Sequence, residues 1–343
     1  MNNCKFLIVL CLFNSSSYSQ INATHKDDSI SQSYTRTFKS LESNLVNNKS
    51  LAHSVFLVES GRQSEFKSYD DYEKKLDNLV DFVNYYYKWQ RTNKYRQPDS
   101  VNYLKNQSIY YSLFDTLSIS FQNNIYNTKF VPFSYSFENI LGGNVTDMFV
   151  TKLLSSKKGD CHSLSYLYKI IADRIGAKCW LALAPNHIYI KNFSQQYGWY
   201  NTELTSRSFP SDAWIMASGY ISADAIRSNI YMDTLSNQQS IGLCVLDLAK
   251  AYEYETKNYY DGFILKCCDL VLQYHATNPM ALLLKAETLK KVYLKQKKGN
   301  AVTAKQAYDE MEAAYITLAK LHYREMPKEM YDKWVKQMQE VHK

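Results

Sequence analysis

Gly159-Asp160 ends one helical pattern and opens another, CHSLSYLYKIIADRIG, in which Leu164, Leu167, Ile170, Ile171 and Ile175 share one helical face. Asp160 is a residue type that caps a helix N-terminus, and Gly176 is a natural C-terminal stop. After the stop, AKCWLALAPNHIYIKNF contains two short apolar runs separated by Pro185-Asn186, the pattern of two strands joined by a turn. A third extended run, GWYNTELT, follows the loop at residues 194–197. A capped helix feeding three extended runs predicts an α+β unit.

The same order of elements brings reactive side chains together. Cys161 falls in the first turn of its helix, where unpaired N–H groups and the positive end of the macrodipole favour a thiolate. The helix to Ile175 travels about 21 Å away at 1.5 Å per residue. The strand from Lys178 to Ala184 returns about 20 Å at roughly 3.3 Å per residue, so the turn delivers His187 near Cys161. One further strand pair brings Glu203 to the same end. In this order His187 takes the thiol proton and Glu203 fixes the imidazole tautomer. The Cys161 backbone N–H, with that of His162 as the next candidate, would face the oxyanion of a tetrahedral intermediate. A second donor is expected upstream, from a residue the sequence does not identify. The chemistry calls for no metal or cofactor.

The segments GDCHSLSYLYKIIADRIGA, PNHIYI and GWYNTELT resemble the three core motifs of the transglutaminase-like superfamily, over about residues 144–205. The resemblance implies a papain-like arrangement, a Cys-bearing helix against an antiparallel sheet. It carries Cys161 over as nucleophile, His187 as base, Glu203 as acid and Trp199 as the aromatic opening the third strand. The usual acid is an Asp followed by Pro, where this chain has Glu203-Leu204. Several neighbours have plainer readings. His162 is adjacent to Cys161 and so does not face it, which suggests a surface or capping role. Trp180, Tyr189 and Trp199 read as sheet packing, Asn186 as a turn residue and Cys179 as core.

Helical spacing also appears around Leu51–Val58, from Tyr72 to Trp89 and from Met148 to Leu154, whereas residues 103–139 fit either helix or strand. The polar, Ser-rich stretch 20–36 reads as a loosely held terminus. Beyond Asn237 the chain reads as all helix. Ala249 and Ala286 recur 37 residues apart, near the tetratricopeptide period of about 34, and Asn278-Pro279 closes a unit. The expected organisation is a signal peptide over 1–19, a transglutaminase-like domain with packing helices over 20–240, and tetratricopeptide-like helical hairpins over 241–343.

Lys5 followed by the apolar run Phe6–Phe13 and then by Ser17 and Ser19 is a secretory signal pattern. The run is shorter than the roughly 20 residues that span a bilayer. A secreted or periplasmic protein without stable membrane insertion is expected, and Leu10 before Cys11 argues against a lipid anchor. Without the leader, Cys161, Cys179, Cys244, Cys267 and Cys268 remain, too few in a long chain for a disulfide scaffold. The net charge of +7 is scattered, and the cluster Lys295–Lys298 reads as a solvated connection, so nucleic acid is a poor partner. These readings favour a cysteine hydrolase or acyl transferase acting on peptide or protein amide bonds. The alternative is a catalytically silent scaffold whose C-terminal helices bind a protein or peptide partner.

Overall fold

In a computed structural model the described residues are 23–62, 65–91, 97–115, 118–121, 124–129, 131–136, 145–299 and 301–341. The expected signal peptide lies outside them. The chain opens with helices α1 (Ala23–Val46), α2 (Leu51–Glu59), α3 (Tyr69–Arg91) and α4 (Ser100–Phe114), then strands β1 (Ser118–Phe121), β2 (Asn124–Lys129) and β3 (Ser134–Tyr135). Next come α5 (Val150–Ser156), β4 (Lys158–Gly159), α6 (Cys161–Ile175), β5 (Trp180–Ala184), β6 (His187–Ser194) and β7 (Gly198–Thr202). Short helices α7 (Asp212–Ser218) and α8 (Ala223–Arg227) lead into α9 (Asn237–Thr256), α10 (Phe263–Tyr274), α11 (Pro279–Gln296), α12 (Ala301–Lys320) and α13 (Lys328–Val341). The fold is α+β with small sheets. No described helix is long and apolar enough to cross a membrane.

From Ala23 onward the segment expected to be loose is helical. Tyr34, Phe38, Leu41 and Leu45 recur at three and four, are all buried, and turn one stripe of α1 onto α9 and α10. The Tyr34 ring sits 4.9 Å edge-on from Tyr252, and Phe38 lies 6.1 Å from Phe263. A polar composition concealed this stripe because only one face of the helix is apolar. The ambiguous region resolves in both ways, with a helix to Phe114 and the antiparallel pair β1–β2 after it.

Strands β5, β6 and β7 form an antiparallel sheet in sequence order. The turn between β5 and β6 is two residues long, closed by the pair Ala184↔His187, with Asn186 at φ 53°, a conformation Asn tolerates. At the β5 edge, the Met232 and Leu235 N–H groups donate to the carbonyls of Leu183 and Leu181, so residues 232–235 cover that edge. Helix α6 packs on the sheet, and the Ser165 hydroxyl donates to the Ile188 carbonyl at 3.1 Å.

The apolar core is one cluster running from Tyr34 through α6 and the sheet to Leu284 on α11. Helix α9 belongs to it, packed against α1, α2 and α10. Successive contacts α9–α10, α10–α11 and α11–α12 continue the chain as a helical stack, with Ala249 and Ala286 fully buried. Asn278 caps α11, accepting from the Ala281 N–H, and Pro279 occupies the first turn.

Candidate functional site

The N-terminus of α6 is built with unusual closure. Asp160 accepts from the His162 and Ser163 N–H groups at 2.9 and 3.1 Å, and the Ser163 hydroxyl lies 3.1 Å from the Asp160 N–H, completing a capping box. The Ser163 hydroxyl also donates to the Asp147 carbonyl at 2.7 Å. A Cβ on Gly159 would stand 2.2 Å from the Ser163 oxygen, so glycine is required for this cap to form beside β4. At the other end Gly176 takes φ 64°, and the Ala177 and Gly176 N–H groups donate to the Ala172 and Asp173 carbonyls, closing the helix as a Schellman motif.

Cys161, His187 and Glu203, predicted from the order of elements, are brought together at this end of α6. His187 is the first residue of β6, and Glu203 follows β7 by one residue, held there by reciprocal backbone hydrogen bonds with Ser208 at 2.9 and 3.0 Å. The register that pairs Ile190 with Thr202 puts His187 and Glu203 on one face of the sheet as diagonal neighbours. His187 Nε2 lies 2.5 Å from Glu203 Oε2. The other carboxylate oxygen accepts from the Thr205 N–H at 2.9 Å and from its hydroxyl. Glu203 is 4% exposed, and His187 is only partly covered.

The electrostatics follow from this geometry. Burial alone would push the His187 imidazole below its ordinary value, but the Glu203 carboxylate and then the nearby Cys161 outweigh it and hold the imidazole well above. Burial would raise Glu203, yet His187 and the two Thr205 donors bring it below its ordinary value. With Nε2 occupied by Glu203, Nδ1 is the nitrogen left for the thiol. Cys161 is half-buried, whereas Cys179, Cys244, Cys267 and Cys268 are buried free thiols. Burial pushes Cys179 and Cys268 up to about 12.

The oxyanion expectation is refined. The His162 N–H is committed to Asp160, while the Cys161 N–H has no hydrogen-bond partner among the described residues. From the region the sequence left unassigned, Tyr135 on β3 pairs with Gly159, two residues before Cys161. Its phenol is raised by burial and by the nearby Cys161, Asp160 and Glu203, which puts the ring in the site. Nothing in the spacing of residues 103–139 pointed to it.

His162 is not at the surface. Its ring packs at 4.2 Å from that of Tyr166, tilted by 56°, with Nε2 2.9 Å from Asp247 Oδ2 on α9, and the Tyr166 hydroxyl donates to the same oxygen at 3.0 Å. Beside this cluster the buried Glu59 carboxylate accepts from the Val150 and Thr151 N–H groups, both at 2.8 Å, replacing a side-chain cap at the start of α5. Trp199 stands second in β7, after Gly198, and is largely exposed, edge-on to Trp180 and Phe193. Tyr189 is fully buried. Among the described residues no group of three or more His, Cys, Asp and Glu side chains converges to hold a metal.

No protein-family model matches the chain, and neither a curated protein nor a solved structure matches it.

Proposed function

We propose that the chain is a transglutaminase-like cysteine hydrolase or acyl transferase that acts on peptide or protein amide bonds outside the cytoplasm. The observation that carries the reading is the 2.5 Å contact between His187 and Glu203 at the N-terminus of the helix that begins with Cys161. The sequence motifs and the order of helix, His-bearing strand and acid support the superfamily; the leader pattern over residues 1–19 supports the location. Glu203 does the work of the usual aspartate from a position one residue beyond its strand.

In the reaction His187 Nδ1 accepts the thiol proton and Cys161 Sγ bonds to the amide carbonyl carbon. The carbonyl oxygen gains the negative charge and faces the Cys161 N–H. The C–N bond breaks, the amine leaves with the proton from His187, and a thioester remains. Water attacks it to release an acid, or an amine attacks it to form a new amide. Glu203 stays ionised throughout, orienting the ring and stabilising its charged form.

The test is mass spectrometry of the protein mixed with a library of peptides and amine acceptors. An acyl adduct on Cys161 and turnover of an amide are expected, both abolished in Cys161→Ala with an unchanged melting temperature. Turnover that survives in Cys161→Ala refutes the reading. A silent scaffold is the second reading, favoured by the exposed Val302 and Ile316 on α12. It predicts a partner retained by the full chain and lost when these two residues become Asp.

A further inference from the structure

Cys161 is served in the proposed mechanism by one histidine–carboxylate pair, yet the structure holds two beside it. The second joins the first turn of α6 to α9: His162 Nε2 and Asp247 Oδ2 are 2.9 Å apart, with the two side chains only 12% and 17% exposed. Resting on the reading of Cys161 as nucleophile, we infer that this pair also serves the thiol: Asp247 is a positioning residue that fixes His162 beside Cys161, so that its ring supports negative charge on the sulfur.

Three features carry the inference. First, the pair is costly where it stands. Its neighbours on α9 are apolar and buried, among them Leu246 and Leu248, and an apolar contact would join the two helices at least as well. Second, the ring is held from several sides: Asp247 fixes Nε2, Tyr166 packs tilted against it and donates to the same carboxylate, and Asp160 accepts from the backbone N–H. A ring needed only to fill space has no use for so fixed an orientation. Third, His162 directly follows Cys161 in the first turn of α6; consecutive helical residues diverge by about 100°, so its ring would act through space and leave the thiol proton to His187.

The charged and titratable groups around the ring are few. Asp160 faces it from the cap, Cys161 and Tyr166 from its own helix and Asp247 from α9, while Cys244 and Glu59 of α2 reach it through Asp247. Burial would lower the imidazole, but Asp247, Asp160 and Cys161 outweigh it and bring it up to about 9. The two carboxylates thus favour the protonated ring at neutral pH, beside Cys161. One helix of the C-terminal stack thus reaches into the site through a single carboxylate.

The experiment measures iodoacetamide alkylation of Cys161 by mass spectrometry at pH 6 and pH 9.5 on the full chain. His162→Gln and Asp247→Asn are each expected to lower the rate about tenfold at pH 6 and less than twofold at pH 9.5, where the wild-type ring is mostly neutral. Unchanged rates at pH 6, or equal losses at both pH values, overturn the inference, the second because a structural role acts alike at both. Should either variant fail to fold, the paired replacement His162→Leu with Asp247→Leu keeps the interface packed and is held to the same outcomes. His187→Ala is measured alongside. If it slows alkylation and the His162 and Asp247 variants do not, the inference fails alone; if none of them does, the nucleophile reading fails with it.

Discussion

Replacing Glu203 by Gln changes one oxygen to an amide and exposes the logic of the site. The native carboxylate accepts on both oxygens, from His187 at one and from the Thr205 N–H and hydroxyl at the other. A glutamine has one accepting atom. If it keeps the two Thr205 donors, its NH2 faces His187 Nε2, which must offer a lone pair. The ring proton then moves to Nδ1, the nitrogen left for Cys161 in the proposed mechanism, and the base can no longer accept from the thiol. The lost charge-assisted hydrogen bond is worth about 1.5–3 kcal/mol, or about 10- to 150-fold in the equilibrium that makes the thiolate–imidazolium pair. The assay is alkylation of Cys161 at pH 7 by a small haloacetamide, with thermal melting as the control for folding. A folded Glu203→Gln protein that alkylates within threefold of wild type would refute this account of the carboxylate.

Further outcomes follow from the same contacts. Because His187 is held above its ordinary 6.5, its stabilisation is complete below that pH and lost as pH rises through the folded value; because Glu203 is held below 4.5, its stabilisation is present above that pH and lost as pH falls through the folded value. The melting-temperature gap between wild type and His187→Ala should therefore be widest between pH 4.5 and 6.5 and narrow on both sides. Burial raises Glu59 from 4.5 to about 7, so the folded protein binds an extra proton there and wild-type stability falls relative to Glu59→Gln between those values, then levels off, measurable by urea unfolding at each pH. Phe38→Ala should cost about 3–5 kcal/mol in chemical denaturation, because the ring is buried against α9 and α10; a loss below 1 kcal/mol would mean that α1 is loosely held. Gly159→Ala should disturb the cap of α6 and slow Cys161 alkylation, since its methyl would meet the Ser163 hydroxyl at 2.2 Å.

Local chemistry made one part of this molecule readable. Asp160 and Gly176 bound α6 at the residues predicted, and Pro185-Asn186 marks the turn that sets His187 at the start of its strand. Counting rises along one helix and three strands was enough to gather Cys161, His187 and Glu203, because each element is short and their connections are tight. Features set by distant partners were hidden. The stretch 20–36 looked loosely held since the buried stripe that Tyr34 begins, continued by Phe38, Leu41 and Leu45, matters only once α9 and α10 lie beneath it. His162 looked like a surface residue since its partner, Asp247, is 85 positions away. Tyr135 enters the site through a two-residue parallel pairing that no periodicity announces.

The central claim is that Cys161 is a nucleophile activated by His187. Its most direct measurement is the rate at which each thiol of the native protein is alkylated at pH 7, compared with the His187→Ala variant. The account predicts that Cys161 reacts far ahead of the buried Cys179, Cys244, Cys267 and Cys268, and that the lead disappears without His187. A Cys161 that stays inert until the protein unfolds, or reacts equally fast without His187, would contradict it.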